Sequence, residues 1–330
     1  MADLSSTYLG LPIRNPFVAA SGPLTASLDS LKRLEDAGLG AVVLKSIFEE
    51  QIELDGMTAL KDAESYLGHT DGYEFVKATS MEQQIDAYLG LLEGAKKSLA
   101  IPVIASINCY RDGTWLEYAK RFIDLGADAI ELNYYVVAAD PETEGREMEK
   151  EFLQLVRSAR KSIDVPLSLK IGCAYSSLAN LLRRFDEEEV DGVVLFNRFY
   201  SPDIDIEHMK ITQAQMISSK DEYALTLRWV GLMSEEVRYD LIGATGIHSA
   251  DTAVKLLLAG AKAVQLCSVL MKEGVDSVAK MLGDLEVWMK KHGFKDIEAF
   301  RGKLAKKYKA DGSEWIRVQY LKTMLEAQRM

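Results

Sequence analysis

Leu257-Leu-Ala-Gly-Ala-Lys-Ala-Val-Gln-Leu-Cys-Ser268 ends a helical pattern, turns at Gly260, and runs into a short apolar stretch that stops at a polar residue. Three other segments share this shape: Leu34-Glu-Asp-Ala-Gly-Leu-Gly-Ala-Val-Val-Leu-Lys-Ser46, Phe122-Ile-Asp-Leu-Gly-Ala-Asp-Ala-Ile-Glu-Leu-Asn133 and Phe185-Asp-Glu-Glu-Glu-Val-Asp-Gly-Val-Val-Leu-Phe-Asn197. The turn suits a helix C-cap glycine, which takes positive φ at no steric cost. Four further apolar runs interleave with these: Asn15–Gly22, Ile101–Asn108, Val165–Gly172 and Tyr239–Gly246. Three of them carry Pro second (Pro16, Pro102, Pro166), where a strand tolerates a missing N–H. All eight runs have strand length rather than helix length. Helical patterns lie between them, among them Leu28-x-x-Leu31-x-x-Leu34, Leu116-x-x-Ala119-x-x-Phe122 and Ala253-x-x-Leu256-Leu257.

Buried strands alternating with helices build a parallel sheet by right-handed crossovers. Eight units predict a closed (β/α)8 TIM barrel of the α/β class, one domain over residues 1–330. An open doubly wound sheet is the alternative; eight repeated units suit closure better. Long inserts are expected after the second strand (Ile47 to Ser80), the fourth (Tyr134 to Pro141) and the sixth (Arg198 to Val230), on the face that carries barrel active sites. Lys295 to Met330 reads as a polar C-terminal helical extension.

Composition narrows the function. The 330 residues are 48% hydrophobic and 27% charged, an ordinary globular mixture. A net charge of −11 argues against nucleic-acid or anionic-membrane binding, both of which need a basic face. Three cysteines suggest a reducing compartment rather than a disulfide framework. Met1–Ser6 shows no secretory pattern, and Leu256 to Met271 is too short and too polar to span a bilayer. A cytoplasmic enzyme is expected.

The chemistry is expected at the polar strand ends: Ser21, Gly22, Lys45, Ser46, Ser106, Asn108, Asn133, Lys170, Asn197, Thr245, Gly246 and Ser268. His69, His208, His248 and His292 are scattered, so no histidine metal site is expected. A lysine inside a buried run is rare unless paired or functional. Lys45 and Lys170 are therefore candidates to face an anionic ligand or an electron-rich ring, with an ion pair to Glu131 as the structural alternative. Glu131 and Asn133, two apart on one strand, point the same way. Gly246 and the backbone at Cys267–Ser268 follow the seventh and eighth strands, where barrels bind phosphate.

These residues, in this order, resemble the class 1 dihydroorotate dehydrogenase family over nearly the whole chain. The resemblance rests on Asn15–Gly22, Lys45-Ser46, Glu131-Leu-Asn133, Lys170, Asn197, Gly243-Ala-Thr-Gly246-Ile, Gln265-Leu-Cys-Ser-Val and Ile297-Glu-Ala-Phe-Arg-Gly-Lys-Leu304. It implies a flavin mononucleotide (FMN) barrel enzyme, a homodimer, acting in pyrimidine biosynthesis on a small anionic or cyclic-amide substrate. It implies that Ala20, Ser21, Gly22, Lys45, Ser46, Asn108, Asn133, Lys170, Gly246, Cys267 and Ser268 hold the flavin, and that Asn133 and Asn197 hold the substrate. A lysine at the flavin N1/O2 edge stabilises the charge of the reduced ring.

The departures concern substrate chemistry. The family follows Glu-Leu-Asn with x-Ser-Cys-Pro-Asn, whose Cys is the base; here the run is Tyr134-Tyr135-Val136-Val137-Ala138, and Val136 holds that slot. The family's asparagine-rich substrate loop has no counterpart in 47–80, and its glycine-rich sixth insert is replaced by Tyr223-Ala-Leu-Thr-Leu-Arg228. Cys173 and Tyr135 are the alternative bases. A phenol near pKa ~10 needs lowering for that task, and Cys173, like Cys109 and Cys267, also reads as a small buried apolar residue. Two other functions compete: a lyase or isomerase forming a Schiff base on Lys170, and a flavin-binding protein without turnover.

Overall fold

The computed structural model describes residues 2–48, 71–108, 114–134, 136–198, 201–305, 315 and 324–328. Eight parallel strands form the centre: β1 (Phe17–Ala19), β2 (Ala41–Val43), β3 (Val103–Asn108), β4 (Ala129–Asn133), β5 (Leu167–Ile171), β6 (Gly192–Leu195), β7 (Asp240–Gly243) and β8 (Ala263–Leu266). Each pairs with the next, and β8 returns to β1 with Val264 opposite Phe17. The sheet is thus a closed barrel, and each strand falls within one of the eight apolar runs. Their side chains are almost all buried, as expected of a parallel sheet covered on both faces.

Around the barrel run α1 (Leu28–Asp36), α2 (Asp71–Ser98), α3 (Thr114–Asp124), α4 (Gly145–Ser162), α5 (Leu178–Glu187), α6 (Tyr223–Met233), α7 (Ala250–Ala259), the short α8 (Ser268–Glu273) and α9 (Ser277–His292). Helix ends follow the sequence cues. Ser249 caps α7 by accepting from the Thr252 N–H at 3.3 Å, and Gly260 ends it at φ 111°. Leu31, Leu34, Phe122, Phe152 and Phe185 turn inward to the main apolar core, between helices and strands.

A second apolar cluster fills the barrel lumen and is sealed from below by an antiparallel hairpin, Ser6–Tyr8 with Leu11–Ile13. Its tip presses on β6: a Cβ on Gly192 would lie 2.2 Å from Leu9 Cδ2, so only glycine admits the plug. Tyr8 is fully buried, its phenol inside the barrel.

The inserts differ in detail from their expected bounds. Asp71–Ser98 is helix, so much of the second-strand insert is α2; positions 49–70 lie outside the described residues. The sixth insert ends at Glu222, where α6 begins, and carries an antiparallel hairpin, Pro202–Asp205 with Lys210–Gln213. The C-terminal extension is not helical over 296–305. It runs in turns, burying Ile297 and Phe300 and pairing Gly302 N–H with Leu257 O. Its glycine at φ 71° and its docking onto the end of α7 favour turns over a free helix.

Candidate active site

The strand C-termini open into a cavity of about 190 Å3 lined by Ala20, Ser21, Lys170, Asn197, Gly246, Cys267 and Ser268 from the expected set. Phe196, Arg198, Met216, Ser218, Thr245 and Gln265 also line it. These positions come from β1, β5, β6, β7, β8 and the sixth insert, distant in sequence and gathered by closure of the sheet.

Lys170 is buried, 7% exposed. Its Nζ donates to Gln265 Oε1 at 3.0 Å and lies 4.0 Å from Glu131 Oε1. Gln265 Nε2 donates to Glu131 Oε2 at 2.5 Å and to the Tyr8 hydroxyl at 3.0 Å. The Tyr8 O–H in turn reaches Glu131 Oε2 at 3.5 Å, and burial with the nearby carboxylate pushes its pKa well above the usual phenol range. The expected Lys170–Glu131 pairing is present, bridged by Gln265. An ammonium has three N–H donors, and one protein acceptor leaves others for a ligand.

On one side a chain of hydroxyls ties β1, β2 and β3 together. Ser21 Oγ lies 3.0 Å from Ser46 Oγ, which lies 2.7 Å from Ser106 Oγ, and the Ser46 N–H donates to Ser21 Oγ at 2.8 Å. A Cβ on Gly22 would lie 3.0 Å from Cys267 Sγ, so a side chain there would press on that thiol. Burial raises the Cys267 thiol pKa, against a smaller lowering by Lys170. Across the mouth, Asn197 Nδ2 donates to Asn133 Oδ1 at 2.9 Å.

At the far end Ser218 stands between the two expected phosphate loops. Its Oγ accepts from the Gly246 N–H at 3.3 Å, its N–H donates to Ser268 Oγ at 3.0 Å, and its Oγ lies 3.2 Å from His248 Nε2. This partly explains why the cavity is smaller than the roughly 300–1,000 Å3 of ligand pockets. Gly246 has φ 75°, and a Cβ on it would lie 2.3 Å from the Tyr223 nitrogen. The Cβ side of Gly246 is therefore closed by the first turn of α6, while the residue stays on the cavity wall with its N–H bonded to Ser218.

Other expected residues are placed differently. Lys45 does not line the cavity. Strand β2 stops at Val43, Lys45 is exposed, and its N–H donates to Thr25 O at 3.2 Å. Asn108 ends β3, buried and in register with Phe48. Cys173 is half-buried against the main apolar core, the packing expected of a small apolar residue. Tyr134 stacks on Phe152 with ring centres 3.8 Å apart, and burial raises its phenol pKa. Tyr135 lies outside the described residues. Val136 is 40% exposed, and with Val137, Ala138 and Tyr175 it lines a separate, mainly apolar pocket.

Tyr8, Gln265, Ser218 and Arg198 were not assigned roles from sequence. A hydrophobic run containing one glutamine was a usable signal for Gln265; Tyr8 gave none, because its partner lies across the barrel. Arg198 pins the sixth insert, donating to Glu222 Oε2 at 2.9 Å and to the Gln215 and Met216 carbonyls.

A (β/α)8 barrel with a buried cation, strand-end amides and a polar far end is the architecture of an enzyme acting on a small polar ligand. The sequence model of the family described as dihydroorotate dehydrogenase matches residues 3–289, so the chain belongs to that family and is an oxidoreductase. The chain is 26% identical over 310 residues to the catalytic subunit of dihydroorotate dehydrogenase B (NAD(+)) of Thermoplasma volcanium, covering 92% of this chain and 98% of that one. It is 25% identical to the chloroplastic dihydropyrimidine dehydrogenase (NADP(+)) of Arabidopsis thaliana, over 91% and 76% of the two chains. It is 23% identical to dihydroorotate dehydrogenase A (fumarate) of Limosilactobacillus reuteri, over 87% and 94%.

Proposed function

We propose that this oxidoreductase uses FMN and acts on a small cyclic amide, anionic or neutral, other than dihydroorotate. The observation that carries the reading is Lys170: a buried ammonium with donors to spare, at the floor of a cavity walled on one side by the small residues Ala20 and Ser21. That donor set fits the electron-rich edge of a flavin. FMN bound here supplies hydride-transfer chemistry. Lys170 would hold the edge of the ring, and the narrow Ala20–Gly22 strand end would let it lie flat. Gly246 N–H and Ser268 would hold the phosphate, taking over the hydrogen bonds now made with Ser218. Asn133 and Asn197 would orient the substrate. At the position where the family carries its thiol base, Val136 can accept no proton. Two cyclic amides, dihydroorotate and dihydropyrimidine, figure in the relatives' names, which supports the class without choosing the member.

A homodimer also belongs to this reading. Ile204 and Ile211 face each other across the sixth-insert hairpin and are 66% and 81% exposed. An isolated two-stranded hairpin is marginal in water, and a second copy would cover that face.

The test is the purified protein's absorption near roughly 450 nm, with mass identification of the released cofactor and anaerobic screening of cyclic amides for flavin reduction. A colourless protein that takes up no added FMN defeats the proposal. Trapping of a carbonyl substrate on Lys170 by borohydride would favour the Schiff-base alternative instead.

A further inference from the structure

We propose that Glu131, held by Gln265 and Tyr8, is a positioning residue that lowers the electron affinity of the flavin by offsetting part of the Lys170 charge. The inference rests on the FMN reading above. Glu131 is fully buried, and no step assigned to this site uses it. Burying a carboxylate is costly unless it is paired and hydrogen-bonded. Here Oε2 accepts from Gln265 and Tyr8, while Oε1 has no hydrogen-bond partner and faces Lys170 Nζ at 4.0 Å. A group serving stability alone is poorly served by an unsatisfied oxygen. An anion set behind a cation, on the side away from the cavity, weakens the field that the cation projects forward.

The orientation of Gln265 is forced. Its Nε2 donates to both Tyr8 and Glu131, so its Oε1 must face the ammonium. The reversed amide would set N–H against the ammonium and oxygen against the carboxylate. The barrel-floor plug, through Tyr8, thus fixes the amide, the amide fixes Lys170, and the carboxylate trims its charge. Lys170 and Glu131 are predicted to act on the flavin with opposite signs.

The experiment measures the midpoint potential of the FMN-loaded protein by dye equilibration, and the affinity of apo-protein for oxidised FMN by fluorescence quenching. Lys170→Met is expected to shift the potential negative and Glu131→Gln to shift it positive. Each shift should be about tenfold in the ratio of reduced- to oxidised-flavin affinity, about 30 mV for a two-electron couple. Loosened packing alone would weaken FMN retention in both variants without opposite shifts. If Glu131→Gln does not fold, Tyr8→Phe serves: it removes a donor that screens the carboxylate, so a smaller negative shift is expected. A flavin-loaded Glu131→Gln with an unchanged or lowered potential, or an unchanged or raised potential in Tyr8→Phe, overturns this inference and leaves the FMN reading standing. A protein that binds no flavin overturns both.

Discussion

Asn197 Nδ2 donates to Asn133 Oδ1 at 2.9 Å, across the strand that carries Lys170. The bond orients both amides. Asn133 is left with its NH2 as donor and Asn197 with its carbonyl oxygen as acceptor. A donor beside an acceptor complements the N–H and C=O edge of a cyclic amide. Asn197→Ala removes the acceptor and unlocks Asn133. One neutral hydrogen bond is worth about 0.5–1.5 kcal/mol, so losing two should raise KM about tenfold for any cyclic amide that screening finds, with FMN content unchanged. A normal KM in that variant would place the substrate elsewhere.

Gly246→Val is expected to be severe. Positive φ costs a β-branched residue about 1–3 kcal/mol, and the new Cβ would meet the Glu222–Tyr223 backbone, which cannot give way like a side chain. The start of α6 must move, and Ser218 and the Gly246 N–H with it. Thermal unfolding should fall by several degrees and FMN affinity should drop. Full affinity at an unchanged Tm contradicts this.

Cys267 is a chemical reporter of the cavity. Burial raises its thiol pKa, so little thiolate is present at neutral pH. Alkylation of the flavin-free protein at Cys267, read by peptide mass, should be slow near pH 7 and accelerate through and above the ordinary thiol range. Added FMN should block it at every pH. Labelling that is indifferent to FMN would remove Cys267 from the cofactor wall.

The exposed hairpin sets the association test. Ile211→Lys places a charge at the centre of the apolar pair with Ile204. If the protein forms the proposed homodimer, sedimentation should shift from dimer to monomer in this variant, with little change in Tm, and an unmodified protein that sediments as a monomer defeats the proposal outright. A variant that stays dimeric shows that the two copies meet on another face.

The barrel was legible because strands buried on both faces read as short apolar runs, and because the Gly or Asp turn repeats before four of them. The site was legible to the extent that it consists of strand ends, which topology alone brings together: Ser21, Lys170, Asn197, Cys267 and Ser268 all line one cavity. Three features were not. Tyr8 and Gln265 are 257 residues apart, and their bond exists only because the plug enters the barrel from below. Lys45 looked like a strand residue because apolar Leu44 precedes it, yet its N–H bonds to Thr25 O rather than to the neighbouring strand, and the residue is exposed. Ile297–Ala305 has helix-forming composition, but docking on α7 bends it into turns.

The same structure sharpens the expectation for dihydroorotate. Its oxidation needs a base on one face of the substrate and the flavin on the other, and general-base help is typically worth about 10²–10⁴-fold. Val136 has no proton acceptor. Tyr134 is stacked on Phe152 with its phenol pKa raised by burial, which leaves even less phenolate to accept a proton than in free tyrosine. Cys173 packs against the apolar core, and Cys267, the thiol that does line the cavity, is held neutral by burial. Dihydroorotate should therefore bleach the bound flavin far more slowly than the roughly 1–10³ s⁻¹ usual for enzymes. Anaerobic stopped-flow mixing measures this directly. Bleaching of the unmodified protein at an ordinary enzymatic rate would sink the prediction. Cys173→Ala, Cys267→Ala and Tyr135→Phe would then identify the base, as the variant in which the rate collapses while flavin content holds.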